Sequence, residues 1–368
     1  MTAPVNPVRF PKSSLRYNGE YPFAITFRHY FSGEAHAIYP VQGVLDQSGE
    51  GRRRWWLRCD DEADLDPGEV SIRVAYSSVN YKDALAATGA GRIIRRFPCV
   101  GGIDLSGTVI ASADPRFAPG DEVLATSYDI GVAHHGGYAE IARVPAAWVL
   151  KLPAGLSLRD AMALGTAGFT AGLGIVRMEE NGLKPGNGPV IVTGATGGVG
   201  SLAIDMLAGL GYHVVALTGK ESEQDYLLSL GAREILLRQT LDLEKLKPLG
   251  KETWAGAVDN LGGDVLAWVV STMKQGGTIA SIGLAASMNL NTTVAPFILR
   301  GASLLGIDSG YIGEPYRSGV WRRLTLDLRP RHLAAMTRVI AFDDLPGVFD
   351  DFIQGRVKGR VVVQIAAQ

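Results

Sequence analysis

At 368 residues, 46% of them hydrophobic and 20% charged, the chain is long for one hydrophobic core and comfortable as two domains. A formal net charge of -1 argues against a nucleic-acid partner bound by phosphate neutralisation, and two cysteines, Cys59 and Cys99, cannot build a disulfide framework or a cysteine-rich zinc site. No apolar run approaches the roughly 20 residues that span a bilayer, so a soluble, cytoplasmic protein without a membrane partner is expected.

Residues 1–36 read as an extension outside the fold, with Arg9, Lys12, Arg16 and Arg28 against the single acid Glu20 over the first 33 positions. Strands follow at 37–41 and 55–58, paired across the turn Gly49-Glu50-Gly51. Arg52-Arg53-Arg54 beside Trp55-Trp56 then forms a hairpin tip rather than a nucleic-acid stacking surface. Residues 69–76 alternate at period two, and short strands at 107–110, 121–125 and 139–142 complete an antiparallel, barrel-like region ending near Leu152. Beyond Pro153 the texture changes. Ser157, with Asp160 three residues on, caps a small-residue helix over 161–176. Apolar strands at 190–192, 213–217, 234–236, 255–258, 277–282 and 302–307 then alternate with helices at 198–210, 223–230 and 265–274. That alternation predicts an α/β fold with a doubly wound parallel sheet. The tail from about Gly313 shows one helical stretch and a last strand, 360–365, that returns to the first domain.

The turn Thr193-Gly194-Ala195-Thr196-Gly197-Gly198-Val199-Gly200 follows a β-branched strand and opens a helix. Glycine there allows a tight turn and a close approach to a pyrophosphate, which the helix N-terminus attracts. Thr196, Gly197, Gly198 and Val199 are therefore cofactor-binding candidates. NAD sites place an acid at the end of the second strand to bind the ribose hydroxyls. Here that strand ends in Thr218-Gly219-Lys220, with Arg238 after the next strand, so two cations predict NADPH.

Longer segments carry a specific resemblance. A helix with Thr166-Ala-Gly-Phe-Thr170-Ala precedes the glycine turn. Ser77-Ser-Val-Asn80-Tyr81-Lys82-Asp83-Ala-Leu85 and 91–98 lie in the first half, with 254–259, 296–300 and 306–309 in the second. Over residues 37–366 the chain resembles the acrylyl-CoA reductase (NADPH) subfamily, of YhdH/AcuI type, within the quinone-oxidoreductase branch of the medium-chain dehydrogenases/reductases. The resemblance implies a GroES-like catalytic domain, 37–160 with 312–368, and a Rossmann domain, 161–311. It implies that Tyr81, Thr166, Thr170, Leu284, Ile298 and Ser309 also touch the cofactor, and that the strand near Leu304 pairs across a homodimer. The family pattern has Ser-Gly-Arg where this chain has Thr218-Gly219-Lys220; lysine keeps the charge but lacks the planar fork that matches a phosphate.

Zinc alcohol dehydrogenases share this architecture, and a catalytic zinc needs about three Cys, His or acidic ligands. Aligned by motif, Asn80 stands at the cysteine ligand and Ile103, in Gly102-Ile103-Asp104, at the histidine. His134-His135 is adjacent rather than convergent. A metal-free site is expected, with hydride addition to an activated double bond as its chemistry. Tyr81 is the candidate acid, since a phenol is protonated at neutral pH and acidic enough for a basic carbanion; the alternative is that it only packs on the cofactor. Asn80, Lys82 and Asp83 would orient it or bind the ribose and nicotinamide. Arg92, Arg95 and Arg96 are candidates for a cationic rim that holds acyl-CoA phosphates, with Arg317, Arg322 and Arg323 as a second cluster. Acryloyl-CoA reduction leads; a quinone or general enone reductase, and an NADPH-binding sensor with little turnover, stay open. A short-chain dehydrogenase is excluded, because its glycine turn lies near the N-terminus and is followed by Tyr-x-x-x-Lys.

Overall fold

The computed structural model describes residues 37–41, 55–59, 65–96 and 99–365. The expected N-terminal extension and Arg52-Arg53-Arg54 lie outside the described residues. Strands β1 (Ala37–Val41) and β2 (Trp55–Cys59) pair antiparallel, Ala37 opposite Cys59 and Val41 opposite Trp55, as their sequence suggests.

The first half holds β3 (Val70–Val79), α1 (Tyr81–Thr88), β4 (Asp104–Ser112), β5 (Glu122–Thr126), β6 (Ile141–Val144) and β7 (Val149–Lys151). Helix α2 (Leu158–Glu180) leads into β8 (Val190–Thr193), α3 (Gly198–Gly209), β9 (Val214–Thr218), α4 (Gln224–Ser229) and β10 (Glu234–Leu237). Then come β11 (Trp254–Asp259), α5 (Gly263–Ser271), β12 (Met273–Ser281), α6 (Ala295–Arg300) and β13 (Ser303–Gly306). The tail adds α7 (Tyr316–Arg323), β14 (Thr337–Ala341), α8 (Leu345–Ile353) and β15 (Arg360–Gln364).

The second half is a six-stranded parallel sheet in the order β10-β9-β8-β11-β12-β13. This is the Rossmann order, and its switch point between β8 and β11 opens a crevice at the strands' carboxyl ends. Strands β8, β9 and β11 are buried at every residue, as expected of a sheet covered on both faces. The first half is a seven-stranded sheet, β14-β15-β3-β4-β5-β7, with β6 also on β3. Strand β15 pairs antiparallel with β3, so the chain's end closes the first domain.

Helix α2 joins the two halves. Its Ser157 cap accepts from the Asp160 N–H at 3.1 Å. Length and composition alone would let α2 cross a membrane, but 83% of its most apolar window is buried. Leu164, Leu173 and Ile175 are fully buried, each contributing about 1.5–3 kcal/mol by leaving water. Gly172 lets α7 approach, since a Cβ there would lie 3.1 Å from Val320.

Three expectations are corrected. The helix expected over 265–274 ends at Ser271, and Met273 already belongs to β12. Arg300, 29 positions downstream of Ser271, is buried and donates to the carbonyls of Ser271 and Met273 at 2.9 Å. A distant cation thus satisfies the end of a helix that local periodicity would have prolonged. The tail has two helices and an extra strand, because β14 pairs parallel with β15 and needs α8 as its crossover. Residues 81–88, read only as a motif, form helix α1, with Ala84 and Ala86 buried.

Candidate active site

The glycine turn has the required geometry. Gly194 sits at φ +58°, and a Cβ on Gly200 would lie 2.4 Å from the Gly194 carbonyl oxygen. Helix α3 starts at Gly198, so its first-turn N–H groups, unpaired within the helix, face the crevice as an anion site. The Thr193 hydroxyl donates to Asp259 at 2.7 Å, and Asn260 Nδ2 donates to the Thr193 carbonyl at 2.7 Å. These bonds tie β8 to β11 across the switch point. At the end of β9, Thr218 is buried, Gly219 exposed and Lys220 half-buried. Lys220 Nζ donates to the Val357 carbonyl at 3.2 Å, and burial pushes its pKa down. The Arg238 guanidinium flanks Gly219, whose Cβ would meet its Nε at 3.7 Å. The turn and the cations therefore fit a 2′-phosphorylated dinucleotide.

Beside the turn lies a buried network centred on Asp104. Its Oδ2 accepts from the Ser78 hydroxyl at 2.7 Å, Asn80 Nδ2 at 2.8 Å and the Thr166 N–H at 2.9 Å; Oδ1 accepts from the Thr166 hydroxyl at 2.5 Å. Arg360, 2% exposed, supplies the countercharge through Ser78 Oγ (3.0 Å) and Asn80 Oδ1 (3.2 Å), and donates to the Ala163 carbonyl at 2.8 Å. Helix α2 yields to this cluster at Gly165, which takes φ 51° and ψ -155°. A Cβ there would lie 2.6 Å from Asp104 Oδ2, so the kink requires glycine. Arg360 also reaches the cofactor turn, its Cδ lying 3.1 Å from where a Cβ on Gly198 would stand.

Asn80 precedes α1 as its cap. Asp83 Oδ2 accepts from the Asn80 N–H at 2.9 Å, while Oδ1 accepts from the Ile103 N–H at 3.0 Å. The carboxylate so fixes the start of the helix whose first residue is Tyr81, 44% exposed. Burial first, and the Asp104 charge second, push the Asp83 carboxyl up to about 7. The folded protein thus holds this proton more tightly than the unfolded chain. The resulting stabilisation is full below about pH 4, where both forms are protonated, and is lost as pH rises through the folded value. Asp83→Asn should therefore flatten the fall in melting temperature between about pH 4 and pH 7 relative to the parent. Parallel pH dependences in scanning calorimetry would contradict this assignment.

Other expected residues divide. Thr166, Thr170 and Ser309 come together: the Thr170 hydroxyl lies 2.6 Å from both the Thr166 carbonyl and the Ser309 hydroxyl. Leu284 and Ile298 are 61% and 72% exposed. Arg92, Arg95 and Arg96 differ in their partners. Arg95 pairs with Asp129 and Tyr311, Arg96 with Asp66, and Arg92 is exposed and makes no ion pair among the described residues. Two members of the second cluster are corrected, while Arg322 is exposed. Arg317 is buried, stacked 4.2 Å from the Tyr128 ring and 4.8 Å from Phe169, and Arg323 is paired with Glu179 and Asp327. His134 and His135 are buried in loop contacts, His134 Nε2 lying 3.1 Å from the Pro67 carbonyl.

Sequence reading missed Asp104, Ser78, Ser127, Arg360 and Lys358. An acid opening the apolar strand Asp104-Leu105 and a cation opening Arg360-Val-Val-Val were available signals. Ser127 carried none. It and Tyr128 take φ of 65° and 50°, costing about 1–3 kcal/mol each, which sets Ser127 Oγ 2.8 Å from Thr166 Oγ1.

Zinc does not fit the residues present. Ile103 has no lone pair to offer, and the Asn80 side chain is committed to Asp104 and Arg360. Among the described residues no three His, Cys, Asp or Glu side chains converge as a metal site.

Two family models match the chain: "Alcohol dehydrogenase GroES-like domain" over 66–154 and "Zinc-binding dehydrogenase" over 198–325. The chain is 50% identical over 327 residues to acrylyl-CoA reductase AcuI of Ruegeria pomeroyi, covering 88% of this chain and 98% of that one. It is also 50% identical over 303 residues to the putative quinone oxidoreductase YhfP of Bacillus subtilis, covering 82% and 92%. The crystal structure of the yhdH oxidoreductase from Salmonella enterica in complex with NADP superposes with a TM-score of 0.85 at 46% identity, covering 90% of this chain and 100% of that one. YhfP with NAD bound superposes equally, with the same TM-score, identity and coverage.

Proposed function

The chain belongs to the medium-chain dehydrogenase/reductase superfamily, in its acrylyl-CoA reductase subfamily of YhdH/AcuI type, and we propose from this that it reduces acryloyl-CoA to propanoyl-CoA with NADPH. One observation carries the reading: the dinucleotide turn abuts a hydrogen-bonded polar network at the place where a metal-dependent relative would need ligands, in a chain that matches an acrylyl-CoA reductase over 88% of its length.

NADPH, when bound, supplies the hydride that reaches Cβ of the unsaturated thioester. Thr196, Gly197, Gly198 and Val199 hold its pyrophosphate, and Lys220 with Arg238 holds its 2′-phosphate. Thr166, Thr170 and Ser309, joined by hydrogen bonds, would hold its nicotinamide end, and exposed Leu284 and Ile298 would be further contacts. As charge moves to the thioester oxygen, hydrogen-bond donors are needed there. The Tyr81 hydroxyl delivers the proton to Cα, while Asn80 and Asp83 hold its helix in place. Arg92 is the first candidate for the coenzyme A phosphates; Arg95 and Arg96 would have to exchange Asp129 and Asp66 for phosphate.

Following NADPH absorbance with acryloyl-CoA, crotonoyl-CoA and a quinone side by side tests the reading. Fastest turnover is expected on acryloyl-CoA. Quinone turnover with none on acryloyl-CoA would overturn it in favour of a quinone reductase, and NADPH binding without turnover would point to a sensor.

The division into a catalytic domain (37–160 with 312–368) and a nucleotide domain (161–311) is part of the proposal, supported by the pairing of β15 with β3. So is a cytoplasmic homodimer. Among the described residues edge strand β13 is paired on one side, to β12, and exposed Met288, Val294 and Leu299 lie in the segments before it. Light scattering should give the mass of two chains; a single-chain mass would remove the dimer.

A further inference from the structure

Three consecutive residues, Lys358-Gly359-Arg360, join the cofactor turn to the buried network. Arg360 belongs to that network. Gly359, at φ +62°, donates its N–H to the Thr196 carbonyl at 3.0 Å; a Cβ here would lie 2.1 Å from the Met336 oxygen. Lys358 Nζ donates to Glu223 Oε2 at 3.0 Å and stands 5.2 Å from the Tyr226 ring centroid. Just before it, the Val357 carbonyl receives the Lys220 ammonium. Cations from three separate segments therefore flank the end of β9: Lys220 just after the strand, Arg238 beside Gly219, and Lys358, near enough for its charge to act on Lys220, from the loop that enters the other domain's sheet. Glu223 is the acid that faces them.

We infer that Lys358 is a specificity-determining residue for the cofactor, a third cation for the ribose 2′-phosphate, and that Glu223 holds it until that phosphate takes its place. The inference rests on the NADPH reading and deepens it. A 2′-phosphate carries about -1.5 to -2 charges and three acceptor oxygens, so it outcompetes a single carboxylate for the ammonium. A ribose 2′-hydroxyl cannot do so. NADH therefore leaves the Lys358–Glu223 pair closed and gains nothing from the ammonium, so Lys358 adds affinity for the phosphorylated cofactor alone. The pair suits such an exchange, since the two side chains are 53% and 21% exposed and therefore partly solvated. Delivery from the catalytic domain's sheet adds a consequence: the phosphate is held by both domains, which Arg360 and Gly359 already bind together.

Titration calorimetry on the full chain, with NADPH, NADH, adenosine 2′,5′-bisphosphate and AMP, tests this. Lys358→Ala should weaken NADPH and the bisphosphate about tenfold and leave NADH and AMP within about twofold, the loss of one charge-assisted hydrogen bond. Lys358→Arg should restore most of the loss. Glu223→Gln should tighten NADPH about two- to fivefold and leave NADH unchanged, because the ammonium no longer has to be released. Equal weakening of NADPH and NADH by Lys358→Ala would make the residue a structural tie and overturn the inference. So would unchanged NADPH affinity in that variant while Lys220→Ala weakens NADPH selectively. A parent protein with no preference for NADPH over NADH would instead bring down the cofactor reading itself. Lys358 is exposed, and an unchanged circular dichroism melt of the variant confirms that the comparison is between folded proteins.

Discussion

Replacing Asp104 with alanine should destabilise the fold by about 3–5 kcal/mol, read as a fall in melting temperature on the order of 10 °C. The carboxylate is fully buried and accepts four hydrogen bonds, from Ser78, Asn80 and both donors of Thr166. Each of those donors would be left in a space that water enters poorly. The larger effect is electrostatic. Burial pushes the Arg360 pKa down, and Asp104 is the leading opposing influence. Without it a buried guanidinium keeps only Asp83 as a nearby acid. Asp104→Asn, which keeps the size and loses the charge, should fall between parent and alanine. Turnover should drop with stability in both, since Arg360 lies against Gly198 of the cofactor turn. A melting temperature within about 2 °C of the parent would mean that the network is not a stability centre.

Replacing Tyr81 with phenylalanine should lower kcat at least tenfold while leaving the NADPH dissociation constant unchanged, a floor set below the roughly hundredfold or more that a positioned proton donor contributes. Tyr81 opens α1, and the backbone behind it is held by the Asp83 bond to the Asn80 N–H and by the Asn80 bond to Asp104. Its ring is about half exposed while Asp83, two positions on, is buried, so the hydroxyl is free to meet substrate on a fixed base. The substitution removes one oxygen and no packing. Steady-state rates with acryloyl-CoA and direct NADPH titration separate the two effects. Unchanged kcat would remove Tyr81 as the acid, and a matching loss of NADPH affinity would make it a packing residue.

The fold was largely legible because its signals are local. Full burial of Val190-Ile191-Val192 and Val214-Val215-Ala216 follows from uninterrupted apolar runs, and strand–helix alternation leaves few topologies for them. The glycine turn was legible because Gly194 and Gly200 answer to backbone angles and near neighbours. The Ser157 cap acts over three residues. Where a partner lay far along the chain, the same reasoning overran: α5 stops where Arg300, 29 residues away, takes its last carbonyls.

What the sequence by itself determined is therefore the parallel sheet, the dinucleotide turn, the lack of zinc-type ligands at Asn80 and Ile103, and cations in place of an acid after β9. Only the tertiary structure decided that Asp104 gathers Asn80 from 24 positions away and Thr166 from 62, with Arg360 reaching Asn80 across 280. It also decided that Lys358 joins Lys220 and Arg238, and that Arg317 is buried rather than free for phosphate. The reason is physical. Side-chain periodicity records which face of one element is buried, whereas the partner of a buried charge depends on strand register and helix kinks that bring distant segments within hydrogen-bond reach.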